Sequence, residues 1–132
     1  MARILICHVP QDAAVARELG AALMGRGHTI SFDGEPDLVR EDRYPRLRHF
    51  DTVAVIWTEF SVTSAGLTEM AREALTHNLL APLLVEDLDV RRLPIIFRKL
   101  NVFRTRDIDG ISRFIARLAT AVSIRREIKA SP

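Results

Sequence analysis

The chain has 132 residues, 48% of them hydrophobic and 27% charged, which is enough apolar material to build the core of one domain. Lys+Arg number 19 against 17 Asp+Glu, and the resulting formal net charge of +2 is too small a basic excess to imply a nucleic-acid partner. No apolar run approaches the roughly 20 residues of a membrane helix, and Met1-Ala2-Arg3 leads straight into a short apolar segment, so neither membrane nor secretion is implied and a cytoplasmic location is expected.

Residues 3–7 form an apolar, partly β-branched run that reads as the first strand, ended by a polar segment with Pro10 as breaker. The single cysteine, Cys7, lies inside that strand; it has no internal partner for a disulfide and is expected to be a buried, inert thiol. Over residues 13–26, Val15, Ala16, Leu19, Ala22 and Leu23 recur at helical spacing. Asp12 stands as candidate N-cap of that helix, and Gly25 and Gly27 supply its stop. A short strand over 28–32 follows, and Asp33-Gly34-Glu35-Pro36 has turn chemistry. Residues 37–50 are dense in charge and interrupted by Pro45, leaving room for only a short helix within 38–44 or after Pro45.

Residues 52–57 are continuously apolar, as in a parallel strand buried on both faces. A hydroxyl-rich loop with Thr58, Ser61, Thr63 and Ser64 leads into a helix with Leu67, Met70, Ala71, Ala74, Leu75 and Asn78 on a stripe whose apolar character fades at its end. A fourth strand is expected at 82–85, a loop at 86–92, and a short fifth strand at 101–103 reached through Leu93-Pro94-Ile95-Ile96-Phe97. The last helix carries Ile111, Phe114, Ile115, Leu118 and Val122 on one face. Residues 1–124 thus read as one doubly wound α/β domain, a five-stranded parallel sheet of flavodoxin-like order, and residues 125–132 as a polar tail or the start of a linker.

In the order 2-1-3-4-5 the loops after strands one and three face one crevice, the usual ligand position of an open α/β sheet. Those loops hold His8 and Asp12 on one side and Thr58, Ser61 and Ser64 on the other, and Asp33 opens the turn after strand two. The hydroxyls have two readings, hydrogen bonds to a sugar or phosphate and capping of the following helix. Trp57 likewise has two readings, part of the core or crevice wall and, from its place at the switch point, a stacking platform. His8, His28, His49 and His77 show no metal-ligand spacing and there is no CxxC, so no metal site is expected. Glycines that would cradle a phosphate after strand one are missing, since that loop reads His8-Val9-Pro10-Gln11.

The segments ILICHVPQDAAVARELGAAL, VAVIWTEFSVTSAGLTEMAREAL and LLAPLLVEDLDVRRLPIIFRKLNVF together resemble Toll/interleukin receptor (TIR) domains of the bacterial type over nearly the whole chain. The family's first box matches Leu5-Ile6-Cys7-His8 in hydrophobicity and Asp12 in its acidic residue, and departs at Cys7 and His8. What the resemblance implies is a signalling or defence domain that associates with itself, with other TIR domains or with a partner. Its alternative is an NAD+ glycohydrolase that cleaves the nicotinamide-ribose bond, with NAD as substrate and no resident cofactor. That reaction needs a carboxylate beside the developing ribosyl cation.

In the catalytic members the glutamate lies four residues beyond a tryptophan that follows the loop's second serine by two. Laid on this chain, Ser61 and Ser64 match the serines, Gly66 takes the tryptophan position and Met70 the glutamate position. Glu69 is one residue, about 100° of helix, away, and is the candidate catalytic residue if the loop is tighter by one. The candidate NAD crevice comprises His8, Asp12, Asp33, Trp57, Ser61 and Ser64. The family's long segment after strand two is short and charged here, with Arg40, Arg43, Arg46 and Arg48 suited to a phosphate or an acidic partner, or simply solvated. Response-regulator receivers share the fold, but call for acidic residues after strand one and an aspartate ending strand three, where this chain has His8 and Trp57.

Overall fold

The computed structural model describes residues 2–34 and 44–130. Five strands, β1 (Arg3–Cys7), β2 (Thr29–Asp33), β3 (Thr52–Trp57), β4 (Leu80–Leu84) and β5 (Phe103–Arg104), form one parallel sheet in the order β2-β1-β3-β4-β5. The helices are α1 (Ala13–Met24), α2 (Tyr44–Leu47), α3 (Ala65–Thr76), α4 (Ile95–Arg98) and α5 (Ile108–Ala130). The expected five-stranded parallel sheet of flavodoxin-like order is the observed one.

Every residue of β3 is buried, and the period-2 alternation of the strand sorts its side chains between two cores. Val53, Val55 and Trp57 face a cluster with Leu67, Met70 and Phe97, whereas Ala54 and Ile56 face one with Leu19, Leu23 and Ile115. α1 approaches β2 closely because Gly20 has no side chain: a Cβ there would come within 2.6 Å of the Phe32 ring. Two residues past the end of α3, Asn78 lies in the left-handed region, φ 57°, a conformation asparagine tolerates after a helix.

Several boundaries differ from the sequence reading for local reasons. β4 begins at Leu80, because the left-handed Asn78 returns the chain to pair with Val53 at once. β5 is displaced to Phe103–Arg104, and residues 95–98, read as an approach to that strand, instead make the single helical turn α4 behind Pro94. Asp12 occupies the N-cap position of α1 but makes no capping bond with its side chain. Residues 35–43 of the charged segment, Arg40 and Arg43 among them, lie outside the described residues.

The largest departure is α5. Residues 125–130, read as tail or linker, continue a helix of 23 residues. Its first half packs Ile111 and Ile115 into the cluster beside α1, and further along Val122 joins the opposite cluster with α3, so the helix crosses the amino-terminal end of the sheet. Arg126 secures the crossing, its guanidinium donating to the carbonyls of Arg48 (2.6 Å) and Phe50 (2.9 Å) and lying 3.5 Å from Asp51. Arg125 donates to the Asn78 carbonyl at 3.3 Å. Asp51 in turn accepts from the Arg3 amide at 2.9 Å, so the strap is tied to β1 as well.

Candidate functional site

The loop after β3 is built by its own hydroxyls. Ser61 is fully buried; its Oγ accepts from the Thr58 amide at 2.7 Å and donates to the Ile56 carbonyl at 3.0 Å. The Thr58 Oγ1 accepts from the amides of Phe60 and Ser61 and donates to Asp12 Oδ2 at 2.8 Å. Ser64 caps α3, its Oγ accepting from the Leu67 amide at 3.1 Å. Of the two readings open for these hydroxyls, turn formation and capping account for Ser61, Ser64 and Thr58 as they stand.

The crevice at the switch point exists, and of the sequence candidates it contains Asp12. A cleft of about 340 Å³ is walled by Val15, Thr58, Phe60, Val85 and Leu88, with Glu59 and Asp87 at its rim. It shares Val15, Val85 and Asp87 with a neighbouring hollow that reaches Glu18, Glu86 and Ile108. Asp12 is 4% exposed, and burial pushes its carboxyl above the ordinary 3.8, against the smaller pull of the Thr58 hydrogen bond and of His8. The other candidates lie elsewhere. Trp57 is fully buried, its ring 5.6 Å from that of Phe97, and offers no face to a ligand. Its indole N–H has no hydrogen-bond partner among the described residues.

His8 is buried beside Phe32, with ring centroids 6.5 Å apart, and its Nδ1 hydrogen bonds the Val9 carbonyl at 2.8 Å. Asp33 takes a charged hydrogen bond from Arg46 at 2.7 Å, so one of the arginines available for an anion is already paired within the chain. Cys7 is buried, and burial holds its thiol far above the ordinary range, as expected for an inert cysteine.

Glu69 does not enter the crevice. Met70, 1% exposed, occupies the core stripe of α3, and the helical rotation of about 100° carries Glu69 outward. Its side chain is 45% exposed and its Oε1 lies 3.5 Å from Arg72 Nε, one turn along the same helix. The shorter loop that would bring Glu69 to the Met70 position is not formed, because Ser64 caps the helix and Ala65 begins it.

Three features of this edge escaped sequence reasoning. The Thr58–Asp12 bond joins residues 46 positions apart and leaves no local signal. Phe60 is 60% exposed at the mouth of the cleft, and on α4 Ile95 is 72% and Ile96 42% exposed. The alternation of the run Ile95-Ile96-Phe97 could have hinted at an outward pair, since only Phe97 is needed to fill the space over Trp57. Two further hollows flank α5 at the opposite end of the sheet, and neither is lined by a candidate catalytic or NAD-crevice residue. Among the described residues no group of three or more His, Cys, Asp or Glu is disposed to hold a metal ion, and no helix is long and apolar enough to cross a membrane.

No family model matches the chain, and no curated protein sequence does either. Among solved structures it is similar to a metazoan TIR-STING receptor from C. gigas, solved in complex with 2′,3′-cGAMP, at TM-score 0.61 and 21% identity over 84% of this chain. The chain spans only 38% of that receptor chain. It is equally similar in fold to the receiver domain of the Francisella response regulator 1452, at TM-score 0.59 and 12% identity, covering 92% of this chain and 98% of that one. The signal receiver domain of a signal transduction histidine kinase from Syntrophus aciditrophicus gives TM-score 0.59 and 16% identity, covering 92% of each chain. At these identities the likeness is one of fold, shared by TIR and receiver domains alike.

Proposed function

We propose that the chain is a TIR-like signalling or defence module of the bacterial type that acts by associating with a second copy or with a partner protein. The observation that carries this reading is how the carboxyl edge of the sheet is used. Its serines and threonine are engaged in holding their own loop, its tryptophan is buried, and the apolar side chains of Phe60, Ile95 and Ile96 are turned to solvent instead. Exposed apolar groups framed by charge are what a protein surface offers to another protein. A receiver role is less well supported, because the buried Trp57 and His8 stand where receivers have carboxylates.

Cleavage of NAD by Glu69 is the competing reading. It would require the carboxylate to reach a ribose held in the crevice, whereas Glu69 faces outward and is paired with Arg72. The test is to incubate the purified chain at high concentration with NAD and follow free nicotinamide, in parallel with light scattering. Concentration-dependent association without nicotinamide release is the expected result. Nicotinamide release that Glu69→Ala abolishes would overturn the interaction reading in favour of the enzyme.

A further inference from the structure

We propose that the carboxyl-edge cleft is a docking slot for a second copy of this chain, filled by the Ile95-Ile96 turn of that copy. The inference rests on the association reading above and names its surface.

The turn is built as a rigid knob. Pro94 sets its entry, Phe97 anchors it against Trp57, and Arg98 Nε donates to the Leu93 carbonyl at 2.7 Å. Two β-branched side chains are thereby held out in water, with few rotamers left to lose on docking. The knob is followed directly by two cations, Arg98 and Lys99, while the charge of Arg91 is met by Asp89 at 2.7 Å and that of Arg92 by Glu59 at 3.8 Å. The cleft has the complementary character, with apolar walls at Val15, Phe60, Val85 and Leu88 and, besides Glu59 with its partner Arg92, the exposed carboxylate of Asp87 at its rim. A basic, branched apolar plug therefore matches an acidic, apolar slot on the same molecule.

Position decides the symmetry. Knob and slot are neighbours on one edge, bridged by Arg92 and Glu59 at 3.8 Å, so neither can fill the other within one chain without refolding. Two chains meeting edge to edge about a two-fold axis place each knob in the other's slot, and the assembly closes at two.

Sedimentation of the full chain over a wide concentration range tests this. The wild type should reach twice the chain mass and grow no further. Ile95→Asp spoils the knob and Asp87→Lys the slot; both positions are exposed, so far-UV circular dichroism should be unchanged. Each variant should raise the dissociation constant by about tenfold or more. Mixing the two should yield a heterodimer tighter than either variant with itself, since one contact of the two is intact. Association unaltered in both variants overturns this slot and leaves the association reading standing. A wild type that stays monomeric overturns the slot, and binding of an unrelated protein would then be needed to sustain that reading. Growth beyond a dimer overturns the two-fold arrangement.

Discussion

The Thr58 hydroxyl donates to the Asp12 carboxylate across 2.8 Å, joining the loop after β3 to the start of α1 within a buried pair. The bond sits at the floor of the cleft, where the two halves of the sheet diverge. It also explains why Asp12 leaves α1 uncapped, since the oxygen that would cap the helix is turned towards Thr58 instead.

Asp12 should set one part of the pH dependence. Burial raises its folded pKa above 3.8, so the folded state holds the proton more tightly than the unfolded chain. The stabilising contribution of that proton is complete below the unfolded value and is lost as pH rises through the folded one. Asp12→Asn retains an acceptor for Thr58 and removes a buried charge, so at pH 7 its urea midpoint should exceed that of the wild type. The gap should close on acidification towards pH about 4. A variant less stable than wild type at pH 7 would contradict this account.

His28 acts in the opposite sense and in a separate window. It is 8% exposed, its Nδ1 accepts from the Ala2 amide at 3.2 Å, and its Nε2 is 2.9 Å from Ser112 Oγ on α5. Burial lowers its pKa below 6.5, so its contribution is present above that value and is lost as pH falls through the folded pKa. Denaturation midpoints should therefore fall below pH 6.5 in the wild type, and the slope there should flatten in His28→Asn. An identical slope in the two proteins would exclude His28 as the cause.

The two loop serines should differ in cost. Ser61→Ala leaves the buried Thr58 amide without its acceptor and should lower stability by about 1–3 kcal/mol. Ser64→Ala removes an N-cap at a half-exposed helix end and should cost about 1 kcal/mol. Guanidinium denaturation measures both, and a larger loss at Ser64 than at Ser61 would show that the loop is held differently.

Arg126 should matter more than an exposed arginine usually does. Arg126→Met keeps the aliphatic stem but withdraws the donors from the Arg48 and Phe50 carbonyls and the cation from Asp51. A loss of about 1–3 kcal/mol is expected, together with faster amide hydrogen exchange at the amino-terminal ends of β1 and β3. Unchanged exchange there would mean that α5 holds the sheet by its apolar contacts alone.

Much of the molecule could be read directly. The bounds of β1 and β3 follow from apolar runs with clear punctuation, and the buried stripe Leu67, Met70, Ala71 and Ala74 of α3 follows from its period. Glu69 falls outside that stripe, which agrees with its half-exposed side chain beside Arg72. The site was less legible. Trp57, Ser61 and Ser64 were found as a group by position, but a tryptophan ending a buried strand can face a core or a crevice, and a serine before a helix can cap or bind.

The sequence by itself determined the five-stranded parallel order and the buried faces of α1, α3 and the first part of α5, since periodicity and turn chemistry are local and survive without knowledge of neighbours. Only the tertiary structure decided which way ambiguous groups turned. Trp57 went inward because Phe97 closes over it, Asp12 turned from its helix because Thr58 faces it, and residues 125–130 stayed helical because Arg126 finds two backbone carbonyls and Asp51 beneath it. In each case the partner lies 40 or more positions away, from 40 between Trp57 and Phe97 to 78 between Arg126 and Arg48, beyond the reach of any pattern along the chain. The same long-range folding placed Phe60 and the Ile95-Ile96 turn on one edge, which the spacing of those residues along the chain does not reveal.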